Sequence, residues 1–260
     1  MSKHLYVCSF FRSANRELKE NERIDDLQRK LPDGRDLKII QNPDWFCFGI
    51  DAVLLSGFAD VKKNDTVMDL GTGTGIIPIL LAAKTEAKKI DALEIQTEVC
   101  EMAQRSVLLN GLEDKINIIN QSLVDYKTNC QYNVVTCNPP YKTTDTGLVN
   151  PEDKLKISRH EVCCTLSDVV KTASRILKPM GRFFMIHRPE RLVDIIFEMR
   201  MAKLEPKRIR YVHSDADKSP VMVLVEGRKC AKPYIKTEPP LVIYNKDGSY
   251  TDEVLKIYND

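Results

Sequence analysis

Short β-branched apolar runs alternate with longer stretches of helical apolar spacing through the middle of this chain. Such alternation predicts a mostly parallel sheet with helices on both faces, which is an α/β fold. The predicted strands are 66–70, 89–94, 115–120, 132–137 and 181–187, and the predicted helices are 76–84, 97–110 and 165–177.

The two ends depart from this alternation. On the amino-terminal side, a turn at 32–35 separates two short strands, the second at 37–41, and a helix follows at 50–59. No role is assigned to residues 1–26. We therefore expect an amino-terminal extension with short strands at 1–45.

On the carboxyl-terminal side, a helix at 191–201 precedes two β-rich runs at 207–213 and 221–226, which predict a hairpin at the end of the sheet. The main domain is then expected to span 46–236. Prolines and a polar turn after that point predict an extended or loosely packed tail at 237–260.

Size and composition suit one globular domain. The 260 residues are 29% charged and 43% hydrophobic, and no apolar run approaches the roughly 18 residues that span a bilayer. The first residues lack the apolar core of a signal peptide, and the eight cysteines include no C-x-x-C pair. We therefore expect a cytoplasmic protein with no membrane contact and no metal site, and the sequence leaves the oligomeric state open.

Charge is unevenly distributed along the chain. The net charge is only +2, but residues 171–236 carry 16 Lys and Arg against 7 Asp and Glu, which is +9 and leaves −7 elsewhere. A local positive face of this kind suits a polyanion. An ordinary solvated surface is the alternative interpretation. The clearest clusters contain Lys207, Arg208 and Arg210, and Arg228, Lys229 and Lys232.

A glycine-rich turn follows the first strand of the alternating region, with Gly71, Gly73 and Gly75 at alternate positions. Its spacing differs from G-x-G-x-x-G and lacks the Lys-Ser/Thr ending of a phosphate loop, which disfavours NAD and ATP. Glu94 ends the next strand 19 residues after Gly75, close to the offset at which a carboxylate meets a ribose. The ligand is therefore expected to carry a ribose.

Residues 138–141 read Asn-Pro-Pro-Tyr and directly follow the strand predicted at 132–137. In isolation this motif indicates a rigid surface turn. In an open α/β sheet, however, ligands bind beyond the carboxyl ends of the strands at the topological switch point. Gly71, Glu94 and Asn138 are therefore expected to converge.

These motifs resemble those of class I S-adenosylmethionine-dependent methyltransferases. Residues 37–43, 46–55 and 187–192 extend the resemblance to the bacterial tRNA(Val) adenine N6-methyltransferases, over about residues 20–236. The resemblance implies a Rossmann-like, mostly parallel seven-stranded sheet with a carboxyl-terminal antiparallel hairpin. It also implies S-adenosyl-L-methionine as cofactor, tRNA as partner, and methylation of the adenine 3′ of the anticodon.

The resemblance further implies individual roles. The Asn138 side-chain oxygen and the Pro139 carbonyl would accept the two N–H groups of the target amino group, and Tyr141 would stack on the base. The implied catalytic residues are Asn138, Pro139, Pro140 and Tyr141. The implied cofactor residues are Asp51, Asp69, Gly71, Thr72, Gly73, Gly75, Glu94, Ile95, Ser122, Leu123 and Asn138. Expected phosphate contacts are Lys142, Arg188, Arg191, Lys207, Arg208 and Arg210.

Two departures and several alternatives stay open at this point. Ser122 stands where the family usually has an acid for the cofactor adenine, and Asp125 lies three residues on. His187 is attractive as a base, but a lone histidine after an apolar strand more often has a structural role. Rival functions are methylation of a protein glutamine amide, of guanine N2 in ribosomal RNA or of DNA adenine, and a non-catalytic RNA-binding or assembly protein.

Overall fold

The computed structural model describes residues 18–31, 33–45, 47–129, 131–139 and 164–259. Within these residues, no helix has both the length and the apolar character needed to cross a membrane.

The chain first forms an antiparallel hairpin of β1 (Arg23–Lys30) and β2 (Asp36–Gln41), which makes a separate two-stranded sheet. The turn predicted between them is thus confirmed. Buried leucines and isoleucines of this hairpin, including Leu37 and Ile39, belong to the same apolar cluster as the main sheet.

The central sheet has the strand order β8-β9-β7-β6-β3-β4-β5. Strands β3 to β7 pair in parallel, and β9 is antiparallel to both β7 and β8. The predicted mostly parallel sheet with a terminal antiparallel hairpin is confirmed, but two short strands from the end of the chain extend it from seven strands to nine. The seven strands are β3 (Thr66–Leu70), β4 (Lys89–Glu94), β5 (Ile116–Asn120), β6 (Tyr132–Cys137), β7 (Leu177–His187), β8 (Leu204–His213) and β9 (Pro220–Lys229).

Helices cover both faces of this sheet. Alternate strand residues enter different apolar clusters: Val67 and Phe184 pack with α1, α2 and α3, whereas Met68 and Phe183 pack with α4 and α5. The described helices are α1 (Ile50–Phe58), α2 (Ile76–Lys84), α3 (Thr97–Asn110), α4 (Leu166–Ile176), α5 (Leu192–Met201) and α6 (Asp252–Asn259).

The chain after β9 packs against the main domain, so the expectation of an extended or loosely packed tail is wrong. Two short strands, β10 (Lys236–Thr237) and β11 (Leu241–Val242), pair in parallel with β8. Leu241, Ile243 and Val254 are at most 3% exposed. Few but well-placed apolar side chains therefore hold this segment on the α1 face, although its composition is polar.

The strand order reverses at β3. From β3 the chain adds β4 and β5 on one side, then returns to place β6 on the other, with Leu70 level with Cys137. The carboxyl ends of β3 and β6 are therefore neighbours at a topological switch point, where α/β sheets bind ligands.

Candidate active site

The glycine turn leaves open space above its backbone. Gly71, Gly73 and Gly75 have φ of 69°, 58° and 86°, which L side chains rarely adopt. A Cβ at Gly71 or Gly73 would meet nothing within 4 Å, whereas one at Gly75 would lie 3.3 Å from Ala103 Cβ. The first two glycines therefore expose their backbone to a ligand, and the third allows close packing on α3.

Glu94 is the acid at the end of β4, and backbone amides hold both of its oxygens. Gly73 N donates to Oε2 at 2.9 Å and Gln96 N donates to Oε1 at 2.9 Å. The side chain is 5% exposed. A carboxylate has about four lone-pair sites, so two such bonds leave capacity for a pair of ribose hydroxyls. The residues present thus fit the ribose that the sequence predicts.

Asp69 is completely buried at the end of β3. Burial raises the pKa of its carboxyl to about 7, and the hydrogen bond from the Thr136 hydroxyl opposes this rise. Thr136 Oγ1 donates to Asp69 Oδ1 at 2.6 Å. Asp69 Oδ2 and Thr72 Oγ1 make no well-formed hydrogen bond within the described part of the chain. Two buried polar atoms beside the glycine turn suit the ammonium end of a bound cofactor's methionine moiety.

Asn138 lies one residue past β6 and is joined to the first turn of α1. Its Nδ2 donates to Asp51 Oδ2 at 3.0 Å, and Asp51 Oδ1 accepts from Ala52 N at 3.0 Å. A Cβ at Gly49 would lie 2.9 Å from Asp51 Oδ1, so a larger residue there would displace this carboxylate. Because the amide nitrogen faces Asp51, the Asn138 oxygen faces away from it.

The remaining predicted cofactor residues flank Glu94. Ile95 follows it and is 42% exposed, while Leu123 is buried after β5. Ser122 Oγ accepts from Val124 N at 3.2 Å, which shapes the turn between them. Asn120 was missed by sequence reasoning; its side chain donates to Glu94 O at 2.9 Å and ties the ends of β4 and β5 together.

The structure therefore brings together most of the predicted site at the carboxyl edge of the sheet. Pro139 is half-buried there beside Asn138. Pro140, Tyr141 and Lys142 lie outside the described residues.

His187 ends β7 and is buried there, which favours a structural role over that of a base. It is 4% exposed, and its Nδ1 accepts from Arg188 N at 2.8 Å. Burial lowers the pKa of this imidazole to about 4, and nearby Arg191 adds to the effect. The ring is therefore neutral at physiological pH.

The predicted phosphate contacts separate into two groups. Arg188 and Arg191 follow β7 at the same edge as Asn138; Arg191 Nε lies 2.7 Å from Asp194 Oδ2. Lys207 lies on the outer strand β8, away from this edge.

Arg208 and Arg210 hold the end of the chain on the sheet. Arg208 pairs with Glu226 at 2.9 Å and Glu238 at 3.3 Å, and its guanidinium lies 4.0 Å from the Phe58 ring centroid. Arg210 pairs with Glu253 at 2.6 Å. These contacts give no support to the phosphate role predicted for the two arginines; sequence alone does not show that their acidic partners converge on β8.

Comparison with known proteins identifies the family. The model of the methyltransferase small domain matches residues 36–205, which is more than half of the chain. The chain belongs to this family. Methyl transfer and S-adenosylmethionine as its donor, both expected from the sequence, are thereby confirmed.

Curated relatives agree with this family. A protein of Dyadobacter fermentans named tRNA1(Val) (adenine(37)-N6)-methyltransferase is 29% identical over 215 residues, covering 80% of this chain and 88% of the relative. A protein of Parabacteroides distasonis with the same name is 29% identical over 180 residues, covering 68% and 75%.

Solved structures share the methyltransferase fold. A predicted O-methyltransferase from Agrobacterium tumefaciens matches with a TM-score of 0.65 at 22% identity, covering 80% of this chain and 95% of that one. The T. thermophilus 16S rRNA N2 G1207 methyltransferase, in complex with AdoMet and guanosine, matches with a TM-score of 0.57 at 15% identity, covering 82% and 52%. At these identities the likeness concerns the fold.

Proposed function

We propose that this methyltransferase transfers a methyl group from S-adenosylmethionine to the N6 amino group of adenine 37 in tRNA(Val). The observation that carries the proposal is the oriented Asn138 amide, fixed by Asp51 beside the glycine turn and Glu94. The names of the curated relatives support both the target atom and the RNA.

The residues of the glycine turn, Asp69 and Glu94 would bind the cofactor. Glu94 would accept hydrogen bonds from the ribose hydroxyls, and Asp69 would meet the ammonium of the methionine moiety. When bound, S-adenosylmethionine supplies a methyl group on a sulfonium, which is an excellent leaving group. The remaining difficulty is the weak nucleophile, because the N6 lone pair of adenine is delocalised into the ring.

Asn138 and Pro139 address this difficulty by positioning. Asn138 Oδ1, turned away from Asp51, would accept one N–H of the adenine amino group, and the Pro139 carbonyl would accept the other. Held in this way, the N6 lone pair points at the incoming methyl. Transfer would form the N–C bond, release the sulfur as a neutral thioether and leave the nitrogen positively charged until it gave up a proton to solvent. No strong base is required.

RNA is favoured over a protein glutamine as substrate by the distribution of charge. The region 171–236 carries +9, with Arg188 and Arg191 at the catalytic edge. Lysine and arginine at such an edge suit phosphate groups, which position a nucleic acid without reading its sequence.

The test is transfer of labelled methyl from S-adenosylmethionine to bulk tRNA, followed by digestion to nucleosides and mass analysis. The expected product is N6-methyladenosine, mapped to position 37 of tRNA(Val). The Asn138→Ala variant should lose transfer, because it lacks the acceptor oxygen, while its affinity for S-adenosylmethionine stays within about twofold of the wild type.

Two outcomes would contradict the proposal. Cofactor binding without incorporation into any tRNA would redirect the search to protein glutamine and ribosomal RNA. Loss of cofactor affinity in Asn138→Ala equal to its loss of turnover would remove Asn138 from the assigned role.

A further inference from the structure

The excess positive charge of residues 171–236 is partly neutralised within the fold. Seven of the 16 lysines and arginines in this region form ion pairs with acidic side chains. In contrast, Lys203, Lys207 and Lys232 have no acidic side chain within 4 Å in the part of the chain that the structure describes. Lys207 lies beside Tyr234, Lys232 precedes it by two residues, and Lys203 lies in the turn before β8, where its carbonyl contacts the start of the segment that leads to Tyr234. We call Lys203, Lys207, Lys232 and Tyr234 the outer-strand surface.

The members of the outer-strand surface are held together by specific contacts. Lys207 Nζ lies 5.8 Å from the Tyr234 ring centroid and donates to Lys232 O at 3.1 Å. Cys230 N donates to Lys203 O at 3.1 Å, which fixes the start of this segment against the turn before β8. The Lys207 ammonium group thus lies over the Tyr234 ring, and backbone contacts join Lys203 and Lys232 to the same part of the surface.

Tyr234 is presented outwards. The residue is 73% exposed, which leaves a large aromatic side chain mostly in contact with water. Its φ of 147° lies in a region that L side chains rarely adopt. Backbone conformations of this kind cost free energy and are concentrated at functional positions. Burial of the ring does not compensate for this cost, so the ring is available to a partner.

The outer-strand surface lies away from the catalytic edge. The strand register places Lys236 level with Arg208, and Arg208 level with Thr136 across β9, β7 and β6. Tyr234 lies two residues before Lys236, and Asn138 lies two residues after Thr136, so they extend in opposite directions from this level. Strand spacing and rise then separate the two residues by roughly 20–25 Å. A folded RNA with one adenine at Asn138 can reach this far.

We propose that the outer-strand surface is a second contact site for the tRNA substrate, distinct from the pocket for the target adenine. Lysine ammonium groups bind phosphates as point charges, and an exposed tyrosine ring stacks on an unpaired base. An acidic peptide would bind the lysine ammonium groups but would give no reason for the exposed ring of Tyr234. This inference rests on the proposed function, because it assigns a surface to the same substrate.

The experiment measures methyl transfer to tRNA by Tyr234→Ala and Lys232→Gln in the full-length protein. Each variant should raise the KM for tRNA by about five- to tenfold, with kcat at saturating tRNA and the Kd for S-adenosylmethionine unchanged. Tyr234→Trp should retain wild-type KM because it keeps a stacking ring. Lys232→Gln should also reduce the slope of log affinity against log salt by about one.

Lys88→Gln is the matched control, because Lys88 is an exposed lysine before β4, remote from β8. Its KM should equal that of the wild type. A wild-type KM in Tyr234→Ala would overturn the proposal, as would an equal rise in Lys88→Gln. Ring-dependent binding to vesicles containing phosphatidylserine, with tRNA affinity unchanged, would overturn it in favour of a lipid surface.

The outer-strand surface can be tested even if the proposed reaction fails. Direct binding of tRNA, measured by filter retention, does not depend on methyl transfer. If the wild type methylated no tRNA, weaker tRNA retention by Tyr234→Ala would still support the surface, and unchanged retention would overturn it.

Discussion

At the residue scale, two buried acids at the carboxyl edge have different partners. Asp51 accepts the Asn138 amide at 3.0 Å, whereas Asp69 has one oxygen bound to Thr136 and the other facing no well-formed donor in the described chain. The first arrangement orients a side chain that would touch the substrate. The second leaves one carboxylate oxygen of Asp69 for a cationic ligand to bind.

Exchanging the two side chains of the Asp51–Asn138 pair tests its orienting role. Asn138→Asp should lower kcat at least tenfold, because two carboxylates would face each other at this separation. Adding Asp51→Asn should restore most of the rate, since the new amide can donate to the new carboxylate. Methyl transfer to tRNA and calorimetric cofactor affinity are the two measurements.

Asp51→Asn alone is the control for cofactor binding. If Asp51 mainly contacts the methionine end of the cofactor, affinity will fall in both variants that carry this change. A double variant as slow as Asn138→Asp, or a wild-type rate in Asn138→Asp, would remove the orienting role.

Protonation of Asp69 should make cofactor affinity depend on pH. Burial raises the pKa of this carboxyl to about 7. In the ligand-free protein, Asp69 therefore becomes negatively charged only as pH rises through that value. A cationic ammonium favours the ionised form, and affinity should therefore rise by at most about tenfold between pH 6 and 8. Titration calorimetry across this range measures it, and Asp69→Asn should flatten the dependence.

The same shift has a consequence for stability. Because the folded-state pKa of Asp69 lies above the unfolded value near 4, the folded protein binds more protons between these pH values. This carboxyl therefore stabilises the fold least above pH 7 and most below pH 4. Asp69→Asn should gain stability relative to the wild type as pH rises; the opposite trend would show that the carboxyl is already ionised.

At the element scale, the strands of the parallel sheet were predicted almost to the residue, but three boundaries in β7 to β9 were wrong. One is the end of β9, which lies at Lys229 instead of 226. β7 begins at Leu177 instead of 181. Pro179 is typical of a turn, and Met180 has a φ of 63°, so the first residues of this strand do not have the pattern of a regular strand. β8 begins at Leu204 instead of 207, because Pro206 lies at a register shift against β9. Proline weakens a strand prediction wherever pairing tolerates it.

The carboxyl-terminal segment is the element whose packing most needs an energetic test. Val254 is fully buried between α6 and the α1 face, so Val254→Ala should lower the free energy of unfolding by about 1–3 kcal/mol. Leu255→Ala, one residue on and 43% exposed, should change it by under about 1 kcal/mol. Urea unfolding measures both; equal effects would mean that α6 does not pack as described.

At the scale of the whole molecule, the switch point turns separated motifs into one site. The glycine turn, Glu94 and Asn138 meet because β6 returns beside β3, and Asp51 joins them through α1. The hairpin of β8 and β9 adds a basic region at the other end of the sheet. An enzyme acting on a large polyanion can use both ends, whereas a small-molecule methyltransferase needs only the first.

The sequence by itself determined the alternation of elements, the glycine turn, the acid at the end of β4 and the Asn-Pro-Pro-Tyr motif, because each depends on local spacing or local backbone restraint. Only the tertiary structure decided which charges are free. Arg208 and Arg210 lie in the same basic run as Lys207, yet acids 18 to 43 residues away pair with them. Pairing between distant segments depends on how the chain folds back, and spacing along the chain does not contain that information.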